Sequence, residues 1–83
     1  MTASSDTLDT VSQLLGDLIQ EHNIDPDLSL LDTGKLTSLT SMNLILAIET
    51  SYCIRIPNHE LTRQNLTTLR SLAVMVDRVR AQS

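Results

Sequence analysis

Tryptophan and phenylalanine are absent from this chain, and tyrosine occurs once, at Tyr52. Glycine and proline number two each, and cysteine one. Each scarcity excludes something. Sandwiches and barrels need strand formers and turn residues at regular intervals, so a turn-rich β fold is excluded. With Cys53 alone no internal disulfide can form, and the fold must stand without covalent help, as suits a reducing compartment. No apolar run approaches the ~18 residues that span a bilayer. Met1-Thr2-Ala3-Ser4-Ser5-Asp6 lacks the basic-then-apolar form of a signal peptide. The expectation is a cytoplasmic protein with no membrane partner.

What is present is leucine, isoleucine and valine, in a chain of 83 residues. That length holds one small domain, 1–83, with residues 1–4 and 81–83 expected to fray. Folding at this size hides only roughly 60–65% of the unfolded surface, so the core is thin. A net charge of −4 with one aromatic ring makes a poor nucleic-acid binder, lacking both phosphate-neutralising charge and stacking platforms. The charge is uneven. Residues 1–50 hold eight acids against Lys35, and residues 51–83 hold Glu60 and Asp77 against five arginines. Taken alone, that asymmetry describes solvated faces.

Periodicity gives helices. Leu8, Val11, Leu14, Leu15, Leu18 and Ile19 recur at helical spacing, after Ser4, Ser5 and Asp6 as candidate caps. Asn23 and Asp25-Pro26-Asp27 stop that helix, because a residue before proline avoids the helical region. Residues 24–36 read as a long connection pinned by Leu28, Leu30 and Leu31, with Gly34 supplying a turn. Connections of such length in small domains are often functional. Thr37 or Ser38 then caps an apolar run, Asn43 to Glu49, broad enough to bury most of a second helix. Tyr52, Ile54 and Ile56 alternate like a strand, but with no second strand to pair with they predict an extended loop. One short helix is expected from Pro57 to about Gln64. Thr67 or Thr68 caps a last helix carrying Leu69, Leu72, Ala73, Val76 and Val79, with Arg78 and Arg80 at its negative end.

The chemistry is sought by elimination. His22, His59 and Cys53 lie in three segments without metal-ligand spacing, and read as surface histidines and a partly buried cysteine. Gly16 and Gly34 form no phosphate-binding loop. Nothing supplies a base and an orienting group around a nucleophile, so the chain is not expected to be an enzyme. What remains is Ser38, at the junction of the long loop and the second helix. An exposed hydroxyl there, beside free N–H groups and the positive helix end, can hold an attached phosphate; a plain helix cap fits that position as well.

The segment Leu31-Asp32-Thr33-Gly34-Lys35-Leu36-Thr37-Ser38-Leu39 resembles the attachment region of acyl carrier proteins, whose pattern is L-G-x-D-S-L. Ala47-Ile48-Glu49 and Tyr52 match the family's A-L-E and the aromatic after it. Cys53-Ile54-Arg55-Ile56-Pro57 is similar to D-I-E-I-P, and Leu66-Thr67-Thr68-Leu69 to the I-T-T-V that opens the last helix. The resemblance covers residues 8–80. It implies an all-α, acyl-carrier-protein-like four-helix bundle: three main helices, one short helix and a long first loop. It further implies a 4′-phosphopantetheine arm, placed on Ser38 by a phosphopantetheinyl transferase with Mg²⁺. The arm's thiol would hold an acyl or aminoacyl group as a thioester. A cargo-loading ligase or acyltransferase and downstream biosynthetic enzymes would be partners of a monomeric carrier.

Two departures stand out. Thr37 occupies the place of the family's aspartate, and Lys35 lengthens the stretch between Gly34 and Ser38 by one. Positions matching the family's acidic recognition face are neutral here, at Thr37, Thr40, Asn43, Thr50 and Asn58, and only Glu49 keeps a charge. Docking is therefore expected through Thr37, Leu39, Met42, Leu46, Glu49 and Ile56, although Met42 and Leu46 read equally well as core. Weakened electrostatic steering points to a specialised free-standing carrier rather than a fatty-acid one. The alternative is an interaction module that kept the bundle and lost the arm.

Overall fold

The computed structural model describes residues 5–82; residues 1–4 and 83, part of the expected frayed ends, lie outside them. Four α-helices follow one another: α1 (Ser5–Ile19), α2 (Ser38–Tyr52), α3 (Arg63–Leu66) and α4 (Leu69–Gln82). No strand occurs among the described residues. The long helices and the long first loop are those the sequence predicts.

Packing follows from the apolar stripes. Val11 and Leu15 of α1, Leu44 and Ile48 of α2, and Leu69, Leu72, Met75 and Val76 of α4 are fully buried together. Helix α1 lies against both α2 and α4, and α3 against α4. Thr7 is buried as well, and its hydroxyl donates to Asp77 at 2.5 Å, tying α1 to α4.

Helix ends are set by local chemistry. Helix α1 stops at Ile19, earlier than the Asn23 and Pro26 signals suggest, because Gln20 turns left-handed (φ 57°). The Glu21 N–H then reaches back to the Gly16 carbonyl at 3.1 Å. That return needs glycine at position 16, where an added Cβ would meet the Glu21 carbonyl oxygen at 2.6 Å. Helix α2 ends the same way at Cys53 (φ 54°), with the Ile54 N–H on the Glu49 carbonyl at 3.1 Å. Helix α4 is capped by Thr68, whose hydroxyl accepts the Ser71 N–H at 3.0 Å, while the Ser71 hydroxyl accepts the Thr68 N–H at 3.1 Å.

Four expectations need correction. The short helix expected from Pro57 to Gln64 is two pieces: a 3-10 turn at Asn58–Glu60, then α3 at Arg63–Leu66. The cause is Thr62, which is extended and accepts the Asn65 N–H, so that a new helix starts there. Cys53 is exposed rather than partly buried. The last helix runs through Ala81 and Gln82, where fraying was expected. Helix α2 does not bury most of its apolar run: Leu39, Met42 and Leu46 stand 73%, 62% and 57% exposed.

The first loop is fastened along its length. The Leu30 N–H donates to Thr67 O at 2.6 Å, the Leu36 N–H to Leu30 O at 3.0 Å, and the Arg70 N–H to Pro26 O at 3.1 Å. Leu30 and Leu36 are core residues, at 0% and 3% exposure, and Leu31 packs against the core. Gly34 takes φ +75°, the turn conformation expected of it. Side chains add Arg70 to Asp27 at 2.8 Å, Arg63 to Asp32 at 3.0 Å, and Lys35 to Glu21. The uneven charge is thus partly a set of cross-links from the arginine-rich half to the acids of the loop. Arg70 holds the Asp27 carboxyl below the usual carboxylate range.

Candidate functional site

The fastened loop delivers the chain to Thr37, which is extended (φ −90°, ψ 175°) and caps α2. Its hydroxyl accepts the Thr40 N–H at 3.2 Å, and its carbonyl accepts the Ser41 N–H at 2.8 Å and the Ser41 hydroxyl at 2.7 Å. Threonine thereby performs the capping that an aspartate would perform at this place. Ser38 is the first residue of the helix and is exposed. Its hydroxyl bonds to no described residue. By contrast, Ser29, Ser41 and Ser71 engage backbone groups through their hydroxyls.

A phosphate joined to the Ser38 oxygen would meet the positive end of a 15-residue helix. No acid occupies the first turn of α2 to oppose it. The nearest acid along the chain on the loop side, Asp32, is paired with Arg63. The residues present therefore fit a phosphate-linked group.

Beyond Ser38, the outward face of α2 carries Leu39, Met42 and Leu46, all exposed, so Met42 and Leu46 are surface rather than core. Glu49 is half-buried, and its Oε2 accepts the Ile56 N–H at 2.8 Å. The one charge on α2 thus holds the following loop in place. Ile56, expected on the docking face, is 5% exposed and belongs to the core. It lies at the base of a groove of about 490 Å³ between α2 and the segment 55–61. Met42, Leu46, Glu49, Arg55, Pro57 and Leu61 are among its walls.

Sequence reading missed the support behind that groove. Glu60 is 7% exposed, and its carboxylate takes Arg78 Nη2 at 2.6 Å and Arg78 Nε at 3.2 Å. Asn65 Nδ2 donates to Glu60 O at 2.6 Å and to its Oε1 at 3.2 Å. The Arg78 hydrogen bonds hold the Glu60 carboxyl below the usual glutamate range, against the burial that pushes it up. An acid 18 residues before its arginine leaves no periodic signal. Arg55 belongs to the Cys53–Pro57 motif, but nothing local in that motif places it on the groove.

A serine with a free hydroxyl at the head of the second helix, in a four-helix domain with a fastened first loop, is open to a covalently attached group. The family model for the phosphopantetheine attachment site matches residues 6–76, and the chain belongs to that family. Membership implies a 4′-phosphopantetheine held covalently on a serine. Proteins of this family carry groups and typically do not catalyse.

Solved structures agree. The holo acyl carrier protein of Geobacter metallireducens is 31% identical with a TM-score of 0.73, over 92% of this chain and 87% of that one. A Bradyrhizobium japonicum structure of glycine:[carrier protein] ligase complexed with glycylated carrier protein matches at 28% identity and a TM-score of 0.77. There the similarity covers 86% of this chain and 99% of that one, so the matched chain is the small carrier. The same ligase complexed with cognate carrier protein and an analogue of glycyl adenylate matches at 26% identity and 0.75, over 95% and 100%. No curated protein sequence matches the chain. No helix among the described residues is long and apolar enough to cross a membrane.

Proposed function

We propose that Ser38 bears the phosphopantetheine arm and that the chain is a free-standing carrier of an aminoacyl or acyl group in a specialised cytoplasmic biosynthetic pathway. The observation that carries this reading is the free, exposed Ser38 hydroxyl at the head of α2, inside the matched region. A phosphopantetheinyl transferase with Mg²⁺ moves 4′-phosphopantetheine to that oxygen: the Ser38 hydroxyl attacks the pantetheine-side phosphorus of coenzyme A, the pyrophosphate bond breaks, adenosine 3′,5′-bisphosphate leaves, and the serine proton is released to solvent. The arm supplies a thiol on which cargo is held as a thioester, at high effective concentration for a docked enzyme.

This chain's own residues position and present. Thr37 fixes the first turn and so the backbone from which the Ser38 side chain projects. The helix end favours the phosphate charge. Leu39, Met42 and Leu46 offer the apolar surface on which transferase, loading ligase and downstream enzymes would sit. An aminoacyl cargo is favoured over a fatty acyl one by the neutral α2 face and by the likeness to carriers of a glycine ligase.

The test is intact-protein mass after incubation with coenzyme A, Mg²⁺ and a broad-specificity transferase. One added phosphopantetheine is expected, and none on Ser38→Ala, which should keep its helical circular dichroism because Thr37 holds the cap. Addition that survives Ser38→Ala would show the site to be elsewhere. No addition with several transferases would leave the interaction module, a bundle without its arm, as the reading.

A further inference from the structure

Six side chains carry a fixed positive charge, and five of them meet a group of the chain itself. Lys35 pairs with Glu21, Arg63 with Asp32, Arg70 with Asp27 and Arg78 with Glu60. Arg80 lies 4.5 Å from the centre of the Tyr52 ring. Arg55 differs. It is exposed and meets no carboxylate or ring among the described residues.

Its position matters more than its isolation. Arg55 lines the groove between α2 and the segment 55–61, together with Met42 and Leu46. Glu49 shares that groove, but its carboxylate is bonded to the Ile56 N–H at 2.8 Å rather than to the guanidinium. Leu39, Met42 and Leu46 are the large apolar side chains that α2 leaves uncovered, and their neighbours Thr40 and Asn43 are neutral. The result is an apolar patch with one uncommitted cation at its edge, the anatomy of an interface core and rim. Four of the acids behind the net charge of −4 are balanced by their own cations. Screening over ~8 Å at physiological salt leaves a partner at this patch to sense the local charge.

We infer that the cargo-loading ligase docks on the Leu39–Met42–Leu46 face through an apolar patch of its own and places a carboxylate against Arg55. This rests on the carrier reading above and names the partner chemistry of that same site. The sense of recognition is reversed relative to an acidic carrier meeting a basic enzyme patch. Arg55 acts in docking and touches no reacting atom.

The experiment uses the full chain, first converted to its phosphopantetheine form and verified by mass. It is then loaded by the Bradyrhizobium japonicum glycine:[carrier protein] ligase with glycine and ATP. Wild type is compared with Arg55→Lys, Arg55→Ala and Arg55→Glu. An exposed pair lost on binding predicts a KM raised about threefold to fivefold in Arg55→Ala, and repulsion predicts about tenfold or more in Arg55→Glu. The expected kcat is unchanged, and Arg55→Lys stays within about twofold of wild type. Added salt should raise the wild-type KM more than that of Arg55→Ala, a signature that a merely structural residue would lack. Loading of Arg55→Glu at the wild-type KM or below, or no loading of the verified wild-type carrier, would overturn the inference. Failure of Ser38 to take the arm is visible before the ligase is added, and sinks the carrier reading and this inference together.

Discussion

The first loop and the outward face of α2 are neighbours in sequence and opposites in physics. The loop, whose residues 24–36 hold three aspartates, a proline and a glycine, is the kind of segment expected to move, yet backbone bonds from Leu30, Leu36 and Arg70 and ion pairs at Asp27 and Asp32 fasten it. Helix α2, with the most apolar run of the chain, leaves Leu39, Met42 and Leu46 uncovered. Neither arrangement is forced by polarity alone. The core closes with Leu44, Ile45 and Ile48 from α2, and the loop supplies Leu30 and Leu36 to the same cluster. Fixing the loop also fixes Thr37 and therefore the backbone of Ser38 at the start of α2, which in the proposed carrier serves presentation of the arm. The exposed apolar face has no such internal account. In the proposed carrier it is the surface on which a partner sits.

The sharpest way to break this contrast is to truncate one leucine on each side. Leu30→Ala, in a loop, is expected to lose about 2–5 kcal/mol, as for a buried core leucine. Urea denaturation reads it as a lower midpoint with an unchanged slope. A loss below about 0.5 kcal/mol would show that the loop is not anchored as described.

Next in size is the clamp behind the groove. Arg78→Ala leaves the 7%-exposed Glu60 carboxylate without its partner and should cost about 2–3 kcal/mol. The pH dependence has a definite sign. Arg78 lowers the folded-state pKa of Glu60 below its unfolded value, so the stabilisation is fully present above the ordinary glutamate range. It is lost as pH falls through the depressed folded value. Stability measured from neutral pH downward should therefore stay level and then drop in that acid window, and Glu60→Gln should flatten the drop. An equally steep acid limb in Glu60→Gln would place its cause elsewhere.

These effects also mark what can be read from residues in order. The stripe on α1, the Thr37 cap, the Gly34 turn and the buried Leu30 all follow from local rules, and so does the position of Ser38. The two faces of α2 do not. A helix that is apolar nearly all round offers no periodicity to say which leucines turn inward, and only the placement of α1 and the loop sends Leu44 and Ile48 in and Leu46 out. The break at Thr62 was hidden because Pro57-Asn58-His59-Glu60 is itself a good helix start. Glu60 with Arg78, and Asp27 with Arg70, are pairings across 18 and 43 residues, fixed by tertiary packing. Arg55 became conspicuous only once the other cations had found their partners.

A smaller effect tests the join between the two regions. Thr37→Ala removes the side-chain acceptor from the Thr40 N–H and should cost about 1 kcal/mol. If the cap sets the direction of the Ser38 oxygen, phosphopantetheinylation should slow as well, and Thr37→Asp should restore both stability and rate. Recovery of stability without recovery of rate would separate the two roles.

The smallest expected change in stability carries the most about function. Leu46 is 57% exposed, so Leu46→Ser should move the urea midpoint by no more than about 0.5 kcal/mol. A leucine on a surface kept for a partner should nevertheless be missed when a partner docks, with the rate of arm attachment or of loading falling severalfold at limiting enzyme. The pairing of an unchanged fold with a slower partner reaction is what distinguishes a docking face from a poorly covered core. A large loss of stability in Leu46→Ser would make this leucine part of the core after all. An unchanged fold with unchanged rates would put the partner on another face, and the contrast between fastened loop and open helix would then lose its functional meaning.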